Sequence, residues 1–192
     1  MDINEMFNSI LNKNRVVRLL DKLKNYHEET YEHCIRVGFL CMFLGEKNGF
    51  SREDVIILGY AGLLHDIGKL DISKNILNKK GSLNEDEREE IEKHSEKGFE
   101  RLKDFEEIKD IVKFHHAYQK ESYPKNCKTN DRILVLSQIV GIADMFDALS
   151  NERSYKNAFS NDKIKEILKK NFIGKKVYIE QVLEKNKDGE DN

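Results

Sequence analysis

The 192-residue sequence contains a single proline, Pro124, so almost nothing along it breaks a helix by removing a backbone donor. It has no run of apolar residues that reads as long enough to cross a bilayer. Its opening, MDINEMFNSILNKNR, lacks the order of a secretory signal, and the expected address is the cytoplasm with no membrane span. Neither sign of charge prevails: Lys and Arg number 33 against 35 Asp and Glu, a net charge of −2. That balance excludes the broad basic field of a protein that binds a nucleic-acid polymer. Cysteine is scarce and odd in number. Cys34, Cys41 and Cys127 have no metal-ligand spacing, and the first two, seven apart on one helical face, read as buried, reduced packing residues.

What is present is helical periodicity. Charged residues reach 35% and apolar ones 39%, the balance of a folded globule with charged outer faces rather than a disordered chain. Ile3, Phe7 and Ile10, followed by Val16, Leu19, Leu20 and Leu23, make an amphipathic N-terminal segment. A helix is expected from Glu28 to Lys47, closed by Gly49, and another after the capping pair Ser51 and Asp54. Ser82 with Glu85 is expected to cap one helix continuing through residue 103, with a shorter one at 108–116. The polar stretch 117–130 reads as the one long internal loop. A strongly apolar helix spans 131–149, and two more cover 163–170 and 177–183. Repeats, alternating strands and internal linkers are absent, which points to one helical domain.

The six histidines carry the chemistry. A lone histidine on a helix is most often a surface or satisfied core residue, and His27, without a partner pattern, reads as surface. Glu29 and His33, taken alone, would be an exposed pair one turn apart. His65–Asp66, however, ends the most apolar helix and runs into Ile67-Gly68-Lys69, placing imidazole, carboxylate and ammonium where burial is costly unless they are paired or bind metal. His115–His116 end a helix just before the long loop. His94 is placed mid-helix, with Gly98 one turn later able to admit a close backbone or ligand. Asp144 lies within an apolar helix with Asp147 at i+3. Its bland alternative is a buried carboxylate satisfied by a cap or an arginine. Five histidines with two or three carboxylates are too many for one cation. They suit two borderline transition metals sharing a carboxylate, the usual device for in-line displacement at phosphorus.

The ordered set Glu29–His33 (ETYEH), His65–Lys69 (HDIGK), His94–Gly98 (HSEKG), His115–His116 and Asp144–Lys156 (DMFDALSNERSYK) resembles the HD superfamily of metal-dependent phosphohydrolases. Within it the set is most similar to the HD-GYP subfamily of cyclic di-GMP phosphodiesterases, over roughly residues 25–185. The resemblance implies an all-α HD-domain bundle of about seven to nine helices with no substantial sheet. Residues 1–25 would form an N-terminal amphipathic helix packed on the domain, 26–185 the domain itself and 186–192 a frayed tail. His33, His65, Asp66 and Asp144 then resemble the ligands of one ion, and Asp66, His94, His115 and His116 those of a second, with Asp66 bridging. Glu29 matches the position that supports a third ion in some members. The implied metals are iron or manganese. Asp66 and Lys69 are the implied catalytic residues, and Lys69, Tyr123, Asp147, Arg153 and Lys156 the implied substrate contacts. A guanidinium and ammonium groups suit phosphate oxygens.

The departures from the family pattern sit together. Where the signature loop carries HHE, then DG, then GYP, this chain reads His115-His116-Ala117 through Ser122-Tyr123-Pro124, one residue short and without its glycines. No glycine occurs between Gly98 and Gly141, so the loop cannot copy a left-handed conformation without strain. Two kinds of function remain open. One is an enzyme acting on cyclic di-GMP, a related cyclic dinucleotide or another nucleotide. The other is a catalytically impaired nucleotide receptor or scaffold of the same fold. With about 25 residues ahead of the domain, regulation is expected from a protein partner or from substrate supply, and the N-terminal helix could serve a homodimer.

Overall fold

A computed structural model describes residues 2–125, 127–151 and 158–187. Eleven α-helices and one 3-10 turn occur among them, more than the seven to nine expected, because two of the expected helices are broken and a short one, Lys74–Leu77, was not foreseen. The first break separates α1 (Ile3–Leu11) from α2 (Asn14–Tyr26). On a continuous helix the stripe Val16, Leu20, Leu23 would lie about 140° out of phase with Ile3, Phe7, Ile10. Extended backbone at Lys13 lets both stripes turn inward, and Met6, Phe7, Ile10, Val16, Leu20 and Leu23 are all buried. A capping box between Asp2 and Glu5 starts α1.

The pair at the heart of the bundle is α3 (Glu28–Lys47) and α4 (Arg52–Leu64), which make the most extensive helix–helix contact. Ser51 caps α4 through the Asp54 amide, as its spacing predicts. The chain then passes through the 3-10 turn Ile67–Asp71 into the short α5 (Lys74–Leu77). The second break lies at Lys93, dividing α6 (Glu85–Glu92) from α7 (His94–Arg101). Asn84 with Glu87, not Ser82 with Glu85, forms the capping box of α6. The division follows burial: α6 buries no residue, whereas α7 buries His94, Ser95 and Gly98 against the 3-10 turn.

After α8 (Lys109–Phe114) and the loop come α9 (Asp131–Ser150), α10 (Asn161–Asn171) and α11 (Val177–Lys187). By length and composition α9 does qualify as long and apolar enough to cross a membrane, contrary to the sequence reading. Its apolarity has a plainer cause, since it packs at once on α3, α4, α8, α10 and α11 and is the core helix of the bundle. The only β pairing among the described residues is a single bridge between Gln119 and Phe172. It is reinforced where Lys120 N donates to Asn171 O (2.8 Å) and Ile173 N donates to Tyr118 O (2.9 Å). The loop is thereby fastened to the α10–α11 link. Among the described residues no non-glycine takes a positive φ, so the loop follows a path open to its glycine-free sequence.

Candidate metal centre

Five helices deliver side chains to one buried point. His33 comes from α3, His65 and Asp66 from the end of α4, His94 from the first residue of α7, His115 and His116 from the end of α8, and Asp144 from the middle of α9. His94 is thus a helix-start residue rather than the mid-helix one expected. Two close backbone contacts set the spacing. A Cβ on Gly68 would stand 1.9 Å from the His94 carbonyl oxygen and 2.5 Å from Gly98 N, so the 3-10 turn can lie on α7 only with glycine there. A Cβ on Gly141 would stand 2.4 Å from the His115 carbonyl oxygen, which brings α9 and its Asp144 against the α8 terminus.

Three imidazoles are locked in one tautomer. Nδ1 of His65, His94 and His115 lies 2.8, 2.6 and 2.5 Å from the carbonyl oxygens of Gly62, Ile91 and Val112. A carbonyl only accepts, so each Nδ1 carries the hydrogen and each Nε2 presents a bare lone pair to the centre. His94 Nε2 and His115 Nε2 are 3.3 Å apart. Two bare nitrogens at that distance repel unless a cation lies between them, and nitrogens about 2.1 Å from a shared cation stand about 3.0–3.4 Å apart. His65 Nε2 and His116 Nδ1 are buried with no hydrogen-bond partner. Each such atom costs about 1–3 kcal/mol unless something satisfies it.

The carboxylates sit among these nitrogens. Asp66 Oδ1 is 3.3 Å from His94 Nε2, while its Oδ2 is 3.4 Å from His65 Nε2 and 3.8 Å from His33 Nε2. Asp144 Oδ1 is 3.0 Å from His33 Nε2 and 3.8 Å from His65 Nε2, and its Oδ2 is 4.0 Å from His116 Nδ1. Within each of three overlapping groups the ligating atoms lie within 4.8 Å of one another: His94/His115/His116, His33/His65/Asp66 and His65/His115/Asp144. This donor set of imidazoles and carboxylates fits a borderline divalent cation. Thiolate is absent from it. Cys34 Sγ stands behind His65, 4.0 Å from Nδ1, and burial pushes its thiol well up.

Burial also decides the protonation of the ring nitrogens. Desolvation takes His94 and His115 down to about 4, and lowers His65 and, more strongly, His116. These four are neutral at physiological pH and need shed no proton to coordinate. Burial alone would raise Asp66, but Lys69 and the surrounding imidazoles outweigh it and hold the carboxyl well below its usual range. Asp144 is likewise held low, chiefly by His33 against the effect of burial. His33 moves the other way: its bonds to Asp144 and Asp147 overcome burial and raise it.

The remaining residues singled out from sequence fall into place unequally. Lys69 reaches Asp66 Oδ2 at 2.6 Å. The Tyr123 ring stacks on His116 with centroids 4.3 Å apart. Glu29 lines a cavity of about 170 Å³ with His27, Thr30, His33, Lys69, Leu77 and Ile91. Asp147 does not face open substrate space: it is 4% exposed, with its oxygens engaged by His33 Nδ1 (2.6 Å) and the Arg36 guanidinium (2.8 and 3.0 Å). Arg153 and Lys156 lie outside the described residues. Two residues were missed. His27, read as surface, is half-buried and caps α3, its Nδ1 accepting from Thr30 N at 3.2 Å. Arg36 had a legible signal: it follows His33 by three positions, as Asp147 follows Asp144.

Comparison with known proteins agrees with this geometry. Residues 30–149 match the family model for the HD domain. A 3'3'-cGAMP-specific phosphodiesterase 2 of Vibrio cholerae is 33% identical over 162 residues, which is 81% of this chain and 31% of that protein. A cyclic di-GMP phosphodiesterase of Thermotoga maritima is 35% identical over 149 residues, 74% of this chain and 40% of that one. The chain therefore spans between 31% and 40% of the length of these relatives. Among solved structures, the HD domain of the Listeria monocytogenes phosphodiesterase PgpH is similar with a TM-score of 0.59 at 23% identity, covering 79% of this chain and 81% of that domain. The same domain in complex with cyclic-di-AMP gives 0.56 at 22% identity, covering 80% of each. At such identity the structural likeness speaks for the fold.

Proposed function

The chain belongs to the HD domain family, and from that premise we propose that it is a divalent-metal-dependent phosphodiesterase that hydrolyses a cyclic dinucleotide, with cyclic di-GMP the first candidate. The observation that carries this reading is the convergence of seven ligating side chains with two buried, unpartnered ring nitrogens. Relatives named for cyclic di-GMP and 3'3'-cGAMP support the substrate class.

In this reading His33, His65, Asp66 and Asp144 hold one ion, and Asp66, His94, His115 and His116 a second, iron or manganese in each case. Glu29 stands toward a third in the adjoining cavity. Bound there, divalent cations supply Lewis acidity toward water and phosphoryl oxygen. The chain supplies the rest. Lys69, held at the rim by Asp66, offers an ammonium to a non-bridging phosphate oxygen. Tyr123 presents the outer face of its ring, stacked on His116, to a nucleobase. The buried imidazoles keep bulk water out and leave the charges around the phosphate lightly screened.

The test is turnover by the purified chain, prepared without oxygen and loaded with Fe(II) or Mn(II). Cyclic di-GMP, 3'3'-cGAMP, cyclic di-AMP and a bis-aryl phosphodiester are offered in parallel. Hydrolysis of at least one cyclic dinucleotide is expected, and Asp66→Ala should abolish it. A fully loaded chain that cleaves only the aryl ester points to another phosphodiester, which the departures at Ala117 and Ser122 would accommodate. Binding without turnover would replace the enzyme with a nucleotide receptor.

A further inference from the structure

Three of the ring histidines are aimed by a carbonyl three residues earlier in their own chain: Gly62 for His65, Ile91 for His94 and Val112 for His115. This works because each carbonyl belongs to the last turn of a helix, where the backbone has acceptors to spare. His33 has no such recourse. It lies inside α3, where the preceding carbonyls are taken up by the helix itself. Its Nδ1 instead donates to a side chain from another helix, Asp147 Oδ2 on α9, at 2.6 Å.

A carboxylate on two rotatable bonds is a poor guide unless it is fixed in turn. Arg36 does that. Its Nε donates to Asp147 Oδ1 (2.8 Å) and its Nη2 to Oδ2 (3.0 Å), the bidentate fork that sets a carboxylate plane. Asn151 Nδ2 adds a third bond to Oδ1 at 2.9 Å. With the carboxylate so held, the His33 ring has one orientation, in which Nε2 lies 3.0 Å from Asp144 Oδ1 and 3.8 Å from Asp66 Oδ2. Lysine at position 36 would keep the charge but could not span both oxygens.

We propose that Arg36 is a positioning residue of the metal centre, acting through Asp147 to aim His33. The proposal rests on the reading of the cluster as a metal site. Outer hydrogen bonds of this kind are typically worth about 10–100-fold in metal affinity.

The experiment titrates Mn(II)-loaded protein with a graded chelator and counts the manganese retained per chain. It compares the wild type, R36M, R36K, D147N, the double variant R36M/D147N and H33A. R36M should release manganese at about 10–100-fold lower chelator strength than the wild type, with kcat reduced and KM unchanged. R36K should recover only part of the loss. The double variant should lose no more than D147N alone, since Arg36 acts only through Asp147. Wild-type retention in R36M, multiplying losses in the double variant, or a raised KM with unchanged kcat would each overturn the proposal. Thermal melts of the metal-free variants guard the comparison, and if R36M is unfolded at assay temperature, R36K carries the decision by the same criteria. H33A separates the two layers. If it keeps all its manganese, the metal-centre reading itself fails; if it loses manganese while R36M does not, only the role of Arg36 fails.

Discussion

At the scale of the residue, the cluster stores instability that a bound cation would relieve. His94 and His115 sit near 4 in the folded chain because burial disfavours their charged forms, and His65 and His116 are lowered for the same first reason. In an unfolded chain each would titrate at about 6.5. Between those values the unfolded state takes up protons that the folded state refuses, so stability must fall as pH drops from about 6.5 toward 4. The lowered carboxyls of Asp66 and Asp144 extend the loss to still lower pH. His33, with its raised value, acts in the opposite sense, contributing stability below about 6.5 that is lost as pH rises, but it is one group against four. Melting temperatures of the metal-free chain, measured from pH 7.5 to 4.5, should decline steadily below about 6.5. A flat profile over that range would show that these histidines are not neutral and buried as described.

The residue scale was also the most legible in sequence. His65, Asp66, His115 and His116 were identifiable because they end helices where burial is costly, and Asp144 because it interrupts an apolar helix; His33 and His94 entered only with the ordered set of motifs, and all seven converge. Asp147 was expected among the substrate contacts, whereas its carboxylate is buried against His33 Nδ1 and Arg36. A spacing of i+3 puts Asp147 on the same face of α9 as Asp144, but it does not say whether that face meets solvent or a neighbouring ligand. Only the packing of α3 on α9 decides that.

At the scale of the element, the site depends on how closely backbones approach. The caps and the break at Lys93 follow from which surfaces find a partner, information that local sequence does not hold. Gly141 is the sharper case, since it reads in sequence only as a weak point in an apolar helix. Gly141→Ala would add a methyl 2.4 Å from the His115 carbonyl oxygen, a backbone atom that cannot swing aside. On propensity alone the substitution would stabilise α9 by about 1 kcal/mol. We expect the reverse, a loss of about 1–3 kcal/mol from overpacking. A displaced α9 would also carry Asp144 away from the imidazoles. Thermal melts combined with metal content report both effects, and a variant at least as stable as the wild type with full metal content would refute the steric account.

At the scale of the whole molecule, the candidate metal centre is also the place where the bundle is joined. It draws on α3, α4, α7, α8 and α9, segments separated by up to 111 residues, as in the pair His33 and Asp144. A cation held there binds the folded chain and has no comparable site in the unfolded one, so it stabilises by mass action, by about 2.7 kcal/mol at a free concentration 100 times its Kd. Loading with Mn(II) should raise the melting temperature by several degrees, and a strong chelator should reverse the gain. An unchanged melting temperature in excess Mn(II) would mean that the folded chain holds no cation at this cluster in preference to the unfolded one, and would count against the metal-site reading.

The fastening of the loop has a consequence for how such a chain can be altered. Tyr118 and Lys120 share backbone hydrogen bonds with Ile173 and Asn171, and the Gln138 side chain on α9 accepts from Lys175 N at 2.5 Å. The shape of the segment beside Tyr123 is therefore written in two places about fifty positions apart. Transplanting a relative's 117–124 segment alone would bring half of a joint. A graft that respects the architecture takes residues 171–175 with it, so that both sides of the joint change together.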